Sequence, residues 1–218
     1  MLLSNLEYGS LFAYCPRFIE GQKNEEIKKS KNVMNNVKSD SIRGNPPRVT
    51  SELISEMIKT KIESFPFKDF FGEDIDLVPV PKSHLMQKDT LWVPDRIARA
   101  LSKQGLGNYY PCLQRFIPVQ KSSYSVSSER PKPTEHYNSI KVIPQVHQPR
   151  SILLIDDVIT RGSTMQGCAS LLKKHFPNIP IKGFALIRTI SNPHEFAKYN
   201  DSCIGVISLV NEESFRTP

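Results

Sequence analysis

The stretch from Ile152 to Ile187 limits the fold of this chain more than any other part. Ile152-Leu-Leu-Ile155 is a short apolar run, and Ser163 to Phe176 carries Met165, Cys168, Ala169, Leu171 and Leu172 at the spacing of one helical face. Lys182 to Ile187 is apolar again. Strand, helix and strand within about 36 residues make a βαβ unit, which implies a parallel sheet covered by helices and a right-handed crossover. The fold class expected is α/β: a Rossmann-like parallel sheet flanked by helices.

The rest of the chain can be read around that unit. Thr50 to Ile62 places Leu53, Ile54, Met57, Ile58 and Ile62 on one helical face behind a Thr50 or Ser51 cap. Ile75 to Val80 has the content of a buried strand, stopped by Pro79 and Pro81, and Pro94 to Leu106 predicts a second helix. A strand is expected near Tyr109 to Phe116 and an edge strand over Ile204 to Val210. Ile117 to Pro149, with five prolines and no period, reads as a functional lid or a disordered linker. Leu2 to Arg17 predicts an edge hairpin around Tyr8-Gly-Ser10. Glu20 to Pro47 is polar and rich in lysine, asparagine and serine, which predicts a mobile insertion or a surface helix of low stability. The expected organisation is a small N-terminal hood over residues 1–49, made of hairpin and insertion, and a main domain over residues 50–218.

Composition excludes several classes. At 218 residues, 39% hydrophobic and 23% charged, the chain can bury one sizeable core and has no fibrous or wholly disordered character. No apolar run reaches the ~20 residues of a membrane span, and the opening Met1-Leu-Leu-Ser-Asn-Leu-Glu7 has no signal-peptide pattern. A cytoplasmic protein without membrane contact is expected. Cys15, Cys112, Cys168 and Cys203 lie far apart, which disfavours a zinc ribbon and a disulfide framework and leaves them as buried small hydrophobes. The net charge of +7 favours polyanionic partners, either phosphorylated small molecules or nucleic acid. No block of five basic residues occurs, and aromatic residues do not alternate with basic ones, so specific nucleic-acid recognition has little support.

The chemistry is concentrated in the turn of the βαβ unit, where ligands gather at the carboxyl ends of strands. Asp156 and Asp157 emerge there and can accept hydrogen bonds from vicinal hydroxyls or hold a magnesium ion through water. Thr160, Ser163 and Thr164 then offer hydroxyls, and Gly162 lets the backbone come close to an anion. Taken singly, an Asp here can be a turn former and Ser163 or Thr164 a helix cap. Together they point to a ligand, because two adjacent carboxylates on a buried strand repel unless a cation or hydroxyls compensate them.

Ile152 to Thr164 resembles the signature of the type I phosphoribosyltransferases: four apolar residues, two acids, two apolar residues, then Thr-x-Gly-Ser-Thr. The resemblance implies that Asp156 and Asp157 grip the ribose hydroxyls of phosphoribosyl pyrophosphate, and that Thr160, Arg161, Gly162, Ser163 and Thr164 cradle its 5-phosphate. Val78-Pro-Val-Pro-Lys-Ser83 resembles the pyrophosphate loop of the ComF-like branch, which makes Lys82, with Ser83 beside it, the pyrophosphate ligand. Ile117 to Pro149 occupies the place of the family's flap, where Lys121, Arg130, Lys132 and Lys141 would neutralise the leaving group. The chain departs from that branch in lacking a zinc ribbon and in carrying Lys82-Ser-His-Leu-Met-Gln-Lys-Asp89 after the loop.

The function implied is magnesium-dependent transfer of a phosphoribosyl group from phosphoribosyl pyrophosphate to a nitrogenous base or amine, with release of pyrophosphate. Asp156, Asp157 and Lys82 would carry it, and a homodimer is a family habit. A regulatory protein that binds phosphoribosyl pyrophosphate or a nucleotide without turnover would keep the same cradle. A third alternative, resting on the charge and the lysine-rich insertion, is a ComF-like protein associated with nucleic acid. His84 is a candidate ligand contact beside the loop. His175, Trp92 and Phe65 to Phe71 read as structural, and Arg188 reads equally as an acceptor contact or a salt bridge.

Overall fold

The computed structural model describes residues 1–87, 89–120 and 131–218. They form an α/β fold whose central sheet has seven strands in the order β11-β10-β1-β9-β8-β4-β5. In chain order these are β1 (Asn5–Tyr14), β4 (Ile75–Pro79), β5 (Asn108–Tyr109), β8 (Ser151–Ile159), β9 (Ile181–Thr189), β10 (Cys203–Val210) and β11 (Glu213–Thr217). The run β1-β9-β8-β4-β5 is parallel, and β10 and β11 are added antiparallel at the β1 side. Short pairs β2 (Ile42–Arg43) with β3 (Arg48–Val49), and β6 (Leu113–Arg115) with β7 (Ile140–Val142), lie outside it.

Parallel strands flanked by crossover helices are buried on both faces, which is why they read as unbroken apolar runs. Ile152 and Leu154 of β8 join one core cluster with Cys168, Ala169 and Leu172 of α5 (Ser163–His175). Leu153 and Ile155 join a second cluster with Ile58 of α2 (Thr50–Thr60) and Ile97, Ala98 and Leu101 of α3 (Val93–Lys103). Phe67 and Phe71 pack edge-on against Phe184, and Trp92 donates from Nε1 to the Val80 carbonyl at 2.9 Å. The phenylalanine cluster is packing, as the sequence indicates, while Trp92 is half-buried.

Three expectations are corrected. The N-terminal segment is not an edge hairpin: β1 is one ten-residue strand inside the sheet, between β10 and β9. Gly9 is no turn there; a Cβ on it would lie 2.9 Å from Phe67 Cβ, so glycine lets the aromatic loop close on the strand. The strand over Ile204 to Val210 is not the edge, because β11 pairs with it. The connecting Asn211 and Glu212 both have positive φ, 49° and 65°, which suits a two-residue hairpin turn although no glycine marks it. The flap region is partly regular, with α4 (Pro133–Ser139) leading into β7, while residues 121–130 lie outside the described residues.

The polar insertion forms helix α1 (Glu25–Ser39). Its apolar residues are few but usable: Ile27 and Val37 are buried, Val33 and Met34 are partly so, and Ser30 accepts the Cys15 N–H. Asp40 ends the helix in the left-handed conformation and is buried, accepting from the Ser51 N–H at 2.8 Å and from Arg96 at 3.0 Å. That anchor fixes the direction in which the last turn of α1 points. Among the described residues no helix is long and apolar enough to cross a membrane.

Candidate functional site

Strand β4 stops short of its neighbour. Its last contact is the Val80 N–H donated to the Ile155 carbonyl at 2.9 Å, after which the chain turns away through Pro81, Lys82 and Ser83. Strand β8 continues for four more residues, still paired with β9 through Asp156, Val158 and Ile159. The acidic pair therefore sits within the extended end of β8, in the notch left where β4 departs. A crevice outside the carboxyl ends of parallel strands is the place where α/β sheets bind ligands.

The carboxylates are partly satisfied by their own backbone. Asp156 accepts the Asp157 N–H at 2.9 Å, and Asp157 accepts the Val158 N–H at 2.8 Å. Asp157 also accepts Lys38 Nζ at 2.9 Å, a contact that comes from the far end of α1. Enclosure by protein, then the neighbouring Asp157 charge, push Asp156 well above the usual carboxylate range, with Lys38 pulling the other way.

The turn that follows is built for an anion. Gly162 adopts φ 93°, and a Cβ there would meet Ile207 of β10 at 2.7 to 2.9 Å, so both the conformation and the space call for glycine. Helix α5 then begins at Ser163 with no side-chain cap and no acidic residue in its first turn, leaving its first N–H groups and positive dipole end for a ligand. A cavity of ≈ 110 Å³ is lined by Asp156, Thr160, Arg161, Gly162, Ser163, Thr164 and neighbours. One carboxylate and the whole hydroxyl-glycine turn thus share one concavity.

Several residues that shape this site are not evident in the sequence. Arg216 of β11 donates to the Thr160 carbonyl at 2.9 Å and the Thr189 carbonyl at 2.6 Å, holding the turn from beneath. His136 of α4, 2% exposed, lies with Nε2 3.2 Å from Thr164 Oγ1 and Nδ1 3.2 Å from Arg115. Arg115, 4% exposed, also donates to the Lys82 carbonyl and to Ser139 Oγ. A buried polar chain therefore connects the anion turn to the loop after β4. Burial, then the Arg115 charge, depress the His136 pKa to about 3, which keeps the ring neutral. A histidine in a proline-rich stretch carries no sequence signal for such a place.

The other expected residues fall out unevenly. Lys82 and Ser83 leave the sheet beside the notch, and the Ser83 carbonyl accepts the Val119 N–H at 2.8 Å. Of the basic flap residues, Lys121 and Arg130 lie outside the described residues. Lys132 pairs with Glu212 at 3.0 Å. Lys141 borders a wider groove of ≈ 660 Å³ that also includes Pro81, Trp92, Leu113 and Arg115. Arg161 lies 3.5 Å from Glu213. Arg188 is buried and pairs with Asp201, the salt-bridge role rather than an acceptor contact. Cys15, Cys112 and Cys168 are buried and all four thiols are free.

A resident metal does not fit this donor set. Among the described residues no group of three or more His, Cys, Asp or Glu could hold an ion, and Asp157 already takes a lysine. Compared with known proteins, the sequence matches no family model and no curated protein.

Proposed function

We propose that the chain is a magnesium-dependent phosphoribosyltransferase that takes phosphoribosyl pyrophosphate and passes its phosphoribosyl group to a nitrogenous base or amine. The observation that carries this reading is the shared cavity in which Asp156 at the end of β8 faces the Thr160 to Thr164 turn at the start of α5. A carboxylate acceptor for hydroxyls and an uncompensated helix N-terminus for a phosphate, in one small concavity, match the two ends of a ribose 5-phosphate.

In this reading the 5-phosphate accepts the first N–H groups of α5 and the hydroxyls of Thr160, Ser163 and Thr164. The ribose hydroxyls donate to Asp156 and Asp157. That leaves C1 and its pyrophosphate directed along the notch toward Lys82 and Ser83. The C1–oxygen bond breaks through an oxocarbenium-like state, so these residues act by positioning and by charge rather than by covalent chemistry. Magnesium carried with the pyrophosphate would neutralise charge on the leaving group. The acceptor's lone pair then forms the new bond to C1 from the opposite face, and pyrophosphate leaves with the bonding electrons.

A binding-only regulator is favoured by one observation: Lys132, an expected leaving-group cation, is engaged by Glu212. Calorimetry with phosphoribosyl pyrophosphate and magnesium, followed by pyrophosphate release against a panel of bases and amines, separates the two. Binding that is lost in Asp156→Asn/Asp157→Asn, together with release, supports the transferase. Binding without release supports the regulator, and binding unaffected by the double substitution removes both.

A further inference from the structure

Two adjacent carboxylates need a counter-charge, and α1 delivers one. Lys38 lies in the last turn of that helix and its Nζ is 2.9 Å from Asp157 Oδ2. Its side chain is 53% exposed while that of Asp157 is 13% exposed, so the lysine reaches down from the surface onto the acid. Among the described residues, Lys38 is the cation in ion-pair contact with the acidic pair. Its position is not left to chance, because the next residue but one, Asp40, is buried and tied to Ser51 and Arg96. The α1 end is thereby pinned to α2 and α3, and the ammonium is aimed at the notch.

Resting on the proposed ribose-phosphate site, we propose that Lys38 is a tethered counter-ion of the acidic pair, which lets the pair bind the vicinal hydroxyls of a ribose 5-phosphate without a divalent metal. The donor count supports this. Asp156 Oδ1 accepts Asp157 N–H, Asp157 Oδ1 accepts Val158 N–H and Asp157 Oδ2 accepts Lys38. A carboxylate oxygen takes about two donors, so acceptor capacity remains for two hydroxyls while the lysine stays in place. Burial works against the Lys38 charge, but Asp157, through charge and hydrogen bond, and then Asp156 outweigh it and raise its pKa. Any magnesium requirement is thereby confined to the pyrophosphate half of the larger ligand. Lys38 is a positioning residue, acting on the ligand through Asp157.

The test uses ribose 5-phosphate, which lacks the pyrophosphate, and the full chain. Its affinity is measured by calorimetry in EDTA and in magnesium for the unaltered protein and for Lys38→Met, with Lys38→Gln as a second variant and thermal melts to confirm folding. The unaltered protein is expected to bind equally in both buffers. Lys38→Met should bind roughly ten- to a hundredfold more weakly in EDTA and recover most of that loss in magnesium. Equal affinity of the variants and the unaltered protein in EDTA overturns the role of Lys38 and leaves the ribose-phosphate site intact. So does a magnesium requirement in the unaltered protein. Tighter binding by Lys38→Met overturns it too, since the lysine would then be competing with the hydroxyls. Failure of the unaltered protein to bind in either buffer overturns the site reading itself.

Discussion

Asp156→Asn separates the demands of folding from those of binding. The asparagine keeps the shape, and its Oδ1 can still accept the Asp157 N–H. What it removes is a charge held where enclosure and the Asp157 carboxylate both oppose ionisation. Enclosure and the neighbouring charge make that carboxyl harder to ionise in the folded chain than in the unfolded one, so its ionisation costs folding free energy. Relief of that cost raises the melting temperature, by about 2–4 °C for each kcal/mol relieved in a chain of this size. The gain depends on pH in a defined direction. The folded protein binds the Asp156 proton more tightly than the unfolded chain does, so its stability falls as pH climbs from the ordinary carboxylate range through the raised value. The difference between variant and parent should therefore be absent near pH 3 and open as pH rises. Ribose 5-phosphate binding moves the other way, because the amide NH2 replaces the acceptor that faces a hydroxyl, a loss of roughly ten- to a hundredfold. Calorimetric melts across pH and ligand titrations at pH 7 read both. A variant that melts no higher than its parent at pH 7, or that binds as well, refutes the reasoning.

Two further perturbations address the frame around the acids. Gly162→Ala places a Cβ at φ 93° and against Ile207; the left-handed conformation alone costs about 1–2 kcal/mol, so both the melting temperature and the affinity for ribose 5-phosphate should drop. An unchanged melt would show that the turn is not constrained as described. His136 is neutral in the fold, with its pKa depressed to about 3, so the unfolded chain binds more protons between that value and about 6.5. Its contribution is fully present above about pH 6.5 and is lost as pH falls toward 3. His136→Gln should flatten that part of the stability profile while weakening phosphate affinity through Thr164, and equal acid sensitivity in variant and parent would count against it.

The parallel layers are legible because buried parallel strands announce themselves as apolar runs, and the inner stretches of Ile75–Pro79, Ser151–Ile159 and Ile181–Thr189 do so. The place of β1 is hidden for a physical reason: Gly9 and the flanking Tyr8 and Ser10 look like turn chemistry, yet the glycine serves Phe67, more than fifty residues away in the sequence. β11 carries no turn signal in the sequence because its hairpin turn uses Asn211 and Glu212 in place of glycine.

The site shows the same division between local and distant causes. The acids and the turn from Thr160 to Thr164 are contiguous, so their spacing alone declares a strand end followed by a helix start. Everything that holds them comes from elsewhere: Ile207 beneath Gly162, Arg216 beneath Thr160, His136 beside Thr164 and Lys38 on Asp157. None of these has a local sequence signal, because each is selected by the tertiary environment of another residue. The polar insertion illustrates the point most sharply. Its sparse apolar residues argue for little stability, yet α1 needs only enough packing to dock one face, and Asp40 supplies the rest by capping its end and binding α2 and α3. A helix that contributes little to the core is thereby fixed well enough to aim a single ammonium at the strand end where two like charges meet.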